Sequence, residues 1–196
     1  MYLVVSKEII LNQLIKQLDN FFILSEEDKK FLFISIDDVL ICCENNFKKA
    51  NNKYYIYGDN EVRFDPCHSV QYMIFLYYMS HYLYKNNIGD GLCDKVYYLN
   101  KIMNGVDLFY AIELPEVFGA EHPLGAIMGR AEYSDGFFFY QGCTVGGVRD
   151  RNGKLHYPRI GGGVYVCEFV YFGQLSYWRQ CTDRSWSHRQ EPEYSV

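Results

Sequence analysis

The chemistry-bearing residues of this chain cluster between Asp107 and Arg159. His122 follows an acid directly, in Glu121-His122-Pro123-Leu124-Gly125. Imidazole titrates near neutrality, so it can take a proton from a hydroxyl, and a carboxylate beside it favours that work. A histidine next to proline is also what a loop or a subunit contact carries. Downstream, Thr144-Val145-Gly146-Gly147 offers a backbone that a ligand could approach closely, although turns use paired glycines as freely. Leu155-His156-Tyr157-Pro158-Arg159-Ile160 then brings two potential cations. Cys42-Cys43 has the form of a redox pair, but two small apolar residues on a helix are the simpler reading. There is no CxxC pair, and no metal site is expected.

The segment that must position these residues, Val106 to Gly163, is written in short β-like steps with Gly, Ala, Ser or Cys every few residues. That is the pattern of a parallel β-solenoid, in which each face is a short strand and each corner takes a small residue. Arg149 to Tyr157, polar and containing Asn152-Gly153, reads as a loop leaving it. The chain before the solenoid is helical. Ser6 can cap a helix over 6–22, with Ile9, Ile10, Leu14, Leu18 and Phe21 at helical spacing. Ser25-Glu26-Glu27-Asp28 is a near capping box, with Asp where Glu or Gln is usual, for a helix to about Asn46. Tyr54 to Tyr57 is a short strand or extended link, and Gly58-Asp59-Asn60 a turn. Asp65-Pro66 precedes an aromatic helix from about His68 to Asn86, and Cys93 to Asn104 forms another before Gly105.

Composition narrows the classes. With 196 residues, 49% of them hydrophobic, the chain suffices for one domain or two small ones sharing a core. The net charge of −5 argues against nucleic acid as the main partner. The apolar run Tyr72 to Tyr84 is too short to cross a bilayer, so no membrane partner is expected. Seven cysteines and no export-like N-terminus point to reduced thiols in a cytoplasmic protein. The 19 Tyr and 14 Phe suit strand faces and oligomer interfaces.

The order Glu121-His122-Pro123-Leu124-Gly125, Gly129, Thr144-Val145-Gly146-Gly147 resembles the serine O-acetyltransferases, a branch of the hexapeptide-repeat acyltransferases. The resemblance implies an α+β fold: a helical cap over 1–105 and a short left-handed parallel β-helix over 106–166; the tail over 167–196 does not fit it and reads as aberrant. It implies acetyl-CoA as co-substrate and serine as acceptor. His122 matches the family's general base, and Asp107, fifteen residues earlier and close to one coil away, matches the carboxylate that holds it, so the two should stack on one edge. Glu121 matches the acid that helps hold the serine amino group. Gly146 and Gly147, with Thr144 before them, match a backbone lying along the CoA arm. Where the family has Asp-Arg-His-Pro-Lys-Ile, this chain keeps Pro158, Arg159 and Ile160 but puts Tyr157 in the His place and Leu155 or His156 in the Arg place. The substrate-binding set becomes His156, Arg159 and Glu121, and another hydroxyl acceptor such as a sugar stands beside serine. Ser80 to Asn86 matches a family helix in which His81 reads as a packed residue. Family active sites lie between neighbouring solenoids, so a homotrimer or dimer of trimers is implied. Docking onto cysteine synthase is not expected, because the C-terminal peptide that performs it in the family is absent.

After Gly163 the pattern stops: residues 164–196 hold both Trp residues and a single Gly. One reading is a divergent cap; a sharper one is a frameshift near Tyr165. Read from the second nucleotide of each implied codon, Trp178 and Trp186 become Gly, Tyr171, Tyr177 and Asp183 become Ile or Thr, and Ile-Gly recurs every six residues. The regular β-helix is then expected to end near Val166, with one or two strands lying over the open coil edge and Ser185 to Val196 poorly packed. Tyr171 and Tyr177 stacked inward in consecutive coils would contradict the frameshift. A remnant that only oligomerises is the alternative to an enzyme.

Overall fold

The computed structural model describes residues 1–50, 52–58, 61–161, 163–165 and 170–172. It opens with a two-residue strand, β1 (Tyr2–Leu3), then α1 (Lys7–Phe21), whose cap Ser6 accepts the Ile9 N–H at 3.4 Å. Helix α2 (Glu26–Ala50) begins with a reciprocal box: Asp28 N–H donates to Ser25 Oγ and Ser25 N–H to Asp28 Oδ2, both at 3.0 Å. Asp therefore closes the box as Glu would. The helix runs a turn past Asn46 because Asn46 and Phe47 are both buried. A 3-10 turn, Lys53–Tyr55, leads into β2 (Ile56–Tyr57), which pairs antiparallel with β3 (Glu61–Phe64); β3 also pairs parallel with β1. Helix α3 (Ser69–Lys85) is buried on most of its circumference between α2 and α4 (Leu92–Asn104), which accounts for its largely apolar and aromatic sequence. Gly105, at φ 61°, ends α4 in the left-handed conformation.

From Val106 the architecture changes. Strands β4 (Asp107–Leu108), β5 (Phe118–Ala120), β6 (Ile127–Met128), β7 (Glu132–Tyr133), β8 (Phe137–Phe139) and β9 (Thr144–Gly146) are two or three residues each. A hairpin, β10 (Val148–Arg149) with β11 (Leu155–His156), interrupts them before β12 (Arg159–Ile160), β13 (Gly163–Tyr165) and β14 (Val170–Phe172). All pairings except the hairpin are parallel, and the strands fall into three sheets: β4-β6-β9-β14, β5-β8-β13 and β7-β12. From β7 onward the chain visits the three in fixed rotation, which is a three-faced coil. Leu108, Met128 and Val145 line up across one face, and Phe118, Phe137 and Phe139 fill the interior. Gly129 is obligatory at its corner, because a Cβ there would lie 2.6 Å from the Val145 carbonyl oxygen of the adjacent rung.

The cap is fastened to the coil by buried polar groups. Asn46 donates to the carbonyls of Glu116 at 3.1 Å and Phe118 at 2.9 Å. Tyr77 donates to Ile112 O at 2.9 Å and accepts from Leu114 N–H at 3.1 Å.

Past Val166, where the regular coil is expected to end, β14 adds one more strand, with Tyr171 in register with Val145. The other residue of that test, Tyr177, lies outside the described residues, as do Trp178, Trp186, Asp183 and the expected loose end Ser185 to Val196. Among the described residues no helix is long and apolar enough to cross a membrane.

Candidate active site

The corner between β5 and β6 presents the Glu121-His122 pair. Glu121 N–H donates to Phe139 O at 3.1 Å, which fixes this corner beneath the next coil. His122 adopts φ 50°, a left-handed conformation uncommon for a residue with a side chain, and its carbonyl accepts Leu124 N–H at 2.8 Å. The corner closes through Gly125 at φ 73°, whose N–H reaches Gly105 O at 2.7 Å. This geometry throws the His122 side chain outward, 80% exposed, with Nε2 4.0 Å from Glu121 Oε1. The other carboxylate oxygen accepts the Tyr140 hydroxyl at 2.7 Å, and that bond raises the Tyr140 phenol above its ordinary pKa. Tyr140 stands on the next coil, directly after Phe139, so Glu121 is oriented from the rung above.

Asp107 is not the rung partner of His122. Its rung partner is Ile127, so His122 falls short of it, in the corner preceding β6. The Asp107 carboxylate is engaged from the cap instead: Tyr97 Oη donates to Oδ1 at 2.5 Å and Lys101 Nζ to Oδ2 at 2.6 Å. The carboxylate pushes the Lys101 ammonium pKa up. No hydrogen bond or ion pair among the described residues joins Asp107 to His122.

On the same face as Asp107, Thr144 lies opposite Ile127 and Val170, with Gly146 two residues on. Gly147 follows, and its bare Cα accommodates this chain's own Tyr157 ring and His156 carbonyl; a Cβ there would meet them at 2.9 and 3.0 Å. The expected loop 149–157 is thus a hairpin folded back on Gly147. Its turn is organised by Asp150, whose Oδ1 accepts the N–H groups of Asn152 at 2.8 Å and Lys154 at 2.9 Å. Oδ2 meets His156 Nε2 at 2.9 Å. The His156 bond, then the backbone bonds, hold the Asp150 carboxyl below its usual range. Arg159, on β12, pairs through Nε with Glu132 Oε2 of β7 at 2.7 Å.

Sequence reasoning missed Tyr97, Lys101, Glu132, Tyr140 and Asp150. Only Asp150 carried a local signal, as the acid opening an Asp-x-Asn-Gly turn; the others are rung or cap partners. His81 is a packed helix residue: Nδ1 lies 2.7 Å from Tyr110 O, and the ring stacks on Tyr77 at 5.4 Å between centroids. Burial raises the thiol pKa of both Cys42 and Cys43, which keeps them protonated.

The chain matches no family model, and no curated protein matches it in sequence. Its structure resembles those of serine acetyltransferases. That of Brucella abortus strain S19 aligns over 81% of this chain and 65% of its own, with TM-score 0.55 and 18% identity. That of Neisseria gonorrhoeae, solved in complex with serine, aligns over 70% of this chain and 56% of its own, with TM-score 0.51 and 21% identity. The Vibrio cholerae O1 protein gives 70% and 54%, TM-score 0.50 and 14% identity. The chain therefore spans between half and two-thirds of the length of these proteins. The likeness is one of fold: a helical N-terminal part followed by short parallel strands.

Proposed function

We propose that this chain is an acetyl-CoA-dependent O-acetyltransferase acting on serine or another small hydroxyl compound, with a left-handed β-helix beneath its helical cap. One observation carries the reading: a three-sheet parallel coil presents Glu121-His122 at an exposed corner, in a fold like that of solved serine acetyltransferases. An alcohol ionises far above neutral pH, so its attack needs a base. His122 takes the hydroxyl proton as the oxygen adds to the thioester carbonyl carbon. The C–S bond breaks, the O-acetyl ester forms, and the CoA thiolate collects a proton to leave as a thiol. Asp107 serves the imidazole only after leaving Tyr97 and Lys101. Glu121, with one oxygen fixed by Tyr140, holds the acceptor's amino group, and His156 and Arg159 are the proposed remainder of the acceptor-binding set. Gly147 already holds Tyr157, which leaves Thr144 and Gly146 as the backbone along the CoA arm. Such sites form between neighbouring coils, so the working unit is a homotrimer or dimer of trimers, in the cytoplasm, without a metal and without docking to cysteine synthase.

The test is thiol release from acetyl-CoA in the presence of serine by the full chain. Replacing His122 by Ala should lower the rate about a hundredfold or more; an unchanged rate sinks the assignment. A second reading, a folded remnant that oligomerises through its cap without turnover, is favoured by a separate observation: Asp107, His156 and Arg159 are all paired within the chain. Calorimetry with acetyl-CoA separates the two, since micromolar binding supports the enzyme and silence supports the remnant.

A further inference from the structure

The corner that carries Glu121 and His122 is pinned on both sides. Register places Ala120 opposite Phe139, and Glu121 N–H donates to Phe139 O at 3.1 Å, so Glu121 and Tyr140 stand side by side on neighbouring rungs. Beyond His122, Gly125 N–H reaches Gly105 O at 2.7 Å and Gly142 N–H reaches Leu124 O at 3.0 Å. His122, between these anchors, holds φ 50°, a backbone conformation that persists in a residue with a side chain only where its surroundings impose it. The backbone of the pair is therefore set, and only side-chain torsions are left to adjust.

The side chains form an ordered series. Tyr140 Oη donates to Glu121 Oε2 at 2.7 Å, and the Tyr140 ring rests against Phe138 at 5.5 Å between centroids. Glu121 Oε1, without a hydrogen bond among the described residues, faces His122 Nε2 at 4.0 Å. That is longer than a hydrogen bond, but contacts of this kind tighten when substrate binds, and an imidazole 80% exposed has room to turn. Among the described residues no other carboxylate comes within 4.0 Å of the His122 ring nitrogens, and Glu121 has no other ion-pair partner. On the cap side Glu121 acts on a phenol and not on a cation: burial first, and then the Glu121 charge, raises the pKa of Tyr55.

Resting on the acyltransferase reading above, we propose that Glu121, positioned by Tyr140, is the carboxylate that supports His122, in the place the resemblance gives to Asp107. Asp107 is committed to Tyr97 and Lys101. With Nε2–H turned to Glu121, the lone pair of the neutral imidazole lies on Nδ1. Nδ1 takes the hydroxyl proton as the acceptor oxygen adds to the thioester carbonyl carbon, and the imidazolium forms beside a charge that stabilises it. As the C–S bond breaks, the imidazolium returns the proton to sulfur, and CoA leaves as the thiol. A carboxylate oxygen has two lone pairs, so Oε1 can serve the imidazole and an acceptor ammonium together.

The readout that does not need turnover is carbethoxylation of His122 by diethyl pyrocarbonate in the full chain, at about pH 8, where an ordinary imidazole is neutral, with the site read from peptide masses. A carboxylate that accepts Nε2–H makes the other ring nitrogen more basic and more nucleophilic. Glu121→Gln keeps the size and an acceptor oxygen but removes the charge, and the His122 rate should fall about threefold, the scale of an exposed ion pair. Tyr140→Phe removes only the bond that fixes Glu121, and should lower the same rate in the same direction. An unchanged rate in both variants, or a fall in Asp107→Asn alone, overturns the proposal. Thiol release from acetyl-CoA is the second measure, with L-serine and with glycerol, which has no amine. Glu121→Gln should lower kcat about tenfold or more with each acceptor that is turned over. A change confined to the KM for serine shows Glu121 holding the amine alone and overturns the proposal. If the wild type releases no thiol with either acceptor, the acyltransferase reading fails, and carbethoxylation decides the Glu121–His122 pairing by itself.

Discussion

Asp107 is the residue on which two accounts of this chain diverge, and Asp107→Asn separates them. In the structure its carboxylate closes the junction between α4 and the first rung, accepting Tyr97 Oη at 2.5 Å and Lys101 Nζ at 2.6 Å. The Asp107 side chain is 24% exposed and Lys101 45%, so the ammonium contact is partly screened and worth about 0.2–1 kcal/mol. The tyrosine bond is charge-assisted and better shielded. Asn keeps an acceptor for Tyr97 but loses the charge, about half the strength of that bond, and turns an amide toward Lys101. Together these amount to about 1–2 kcal/mol, against about 1.5–3 kcal/mol for complete loss of a hydrogen bond to a charged group. In a chain of this length that lowers the thermal midpoint by about 3–6 °C. The measurement is thermal and urea unfolding of the wild type, Asp107→Asn, Lys101→Met and the double variant. The double variant should be less destabilised than the sum of the singles, because the two residues share one contact. An unchanged midpoint for Asp107→Asn, accompanied by lost turnover, would refute the junction argument and return Asp107 to His122.

Two other perturbations follow from geometry alone. Gly129→Ala places a methyl 2.6 Å from Val145 O, a backbone atom already bonded to Gly129 N–H; the coil should lose about 3 kcal/mol, seen as a collapsed urea midpoint or insoluble expression. Asp28 sets an acid limit on stability. Burial pushes its carboxyl up, but Ser25 N–H and the Lys95 ammonium outweigh that and hold it below the usual range. A depressed folded pKa gives stability that is present above the unfolded value, about 3.9, and lost as pH falls through the folded value. Asp28→Asn should therefore be less stable than the wild type at pH 7, and the gap should narrow as pH falls below about 4, in urea midpoints taken across that range.

The cap was legible because its signals are local. Ser6, the Ser25-to-Asp28 box and Gly105 mark helix ends whose chemistry lies within four residues, and each performs the capping its type suggests. The coil was legible as a rhythm of small residues, and the expected sequence of short parallel strands is observed. What could not be read is which side chains meet across rungs. Strands β1 and β3 pair across some sixty residues with only two partners each, too short to show alternation. Asp107 lies fifteen residues before His122, yet its rung partner is Ile127, twenty residues on, whereas the next repeat of that face, Ile127 to Thr144, takes seventeen. Glu132 and Arg159 meet because they share a rung across the inserted hairpin, a register that no single-sequence spacing rule supplies.

That pairing carries a general consequence for so narrow a coil. Rungs of two or three residues offer few backbone bonds each, so the Arg159–Glu132 ion pair between β12 and β7 adds to the stack, and a charge used there is less free for a ligand. The contribution need not be large for the trade to matter. Arg159 and Glu132 are 83% and 71% exposed, so their pair is worth at most about 1 kcal/mol to the fold. For a ligand, the same pairing removes Arg159 as a free cation. Glu132→Gln should thus move the urea midpoint very little while raising weak binding of small carboxylates, measurable with acetate by chemical-shift titration. A large loss of stability without any gain in carboxylate binding would show that the pair serves the coil alone.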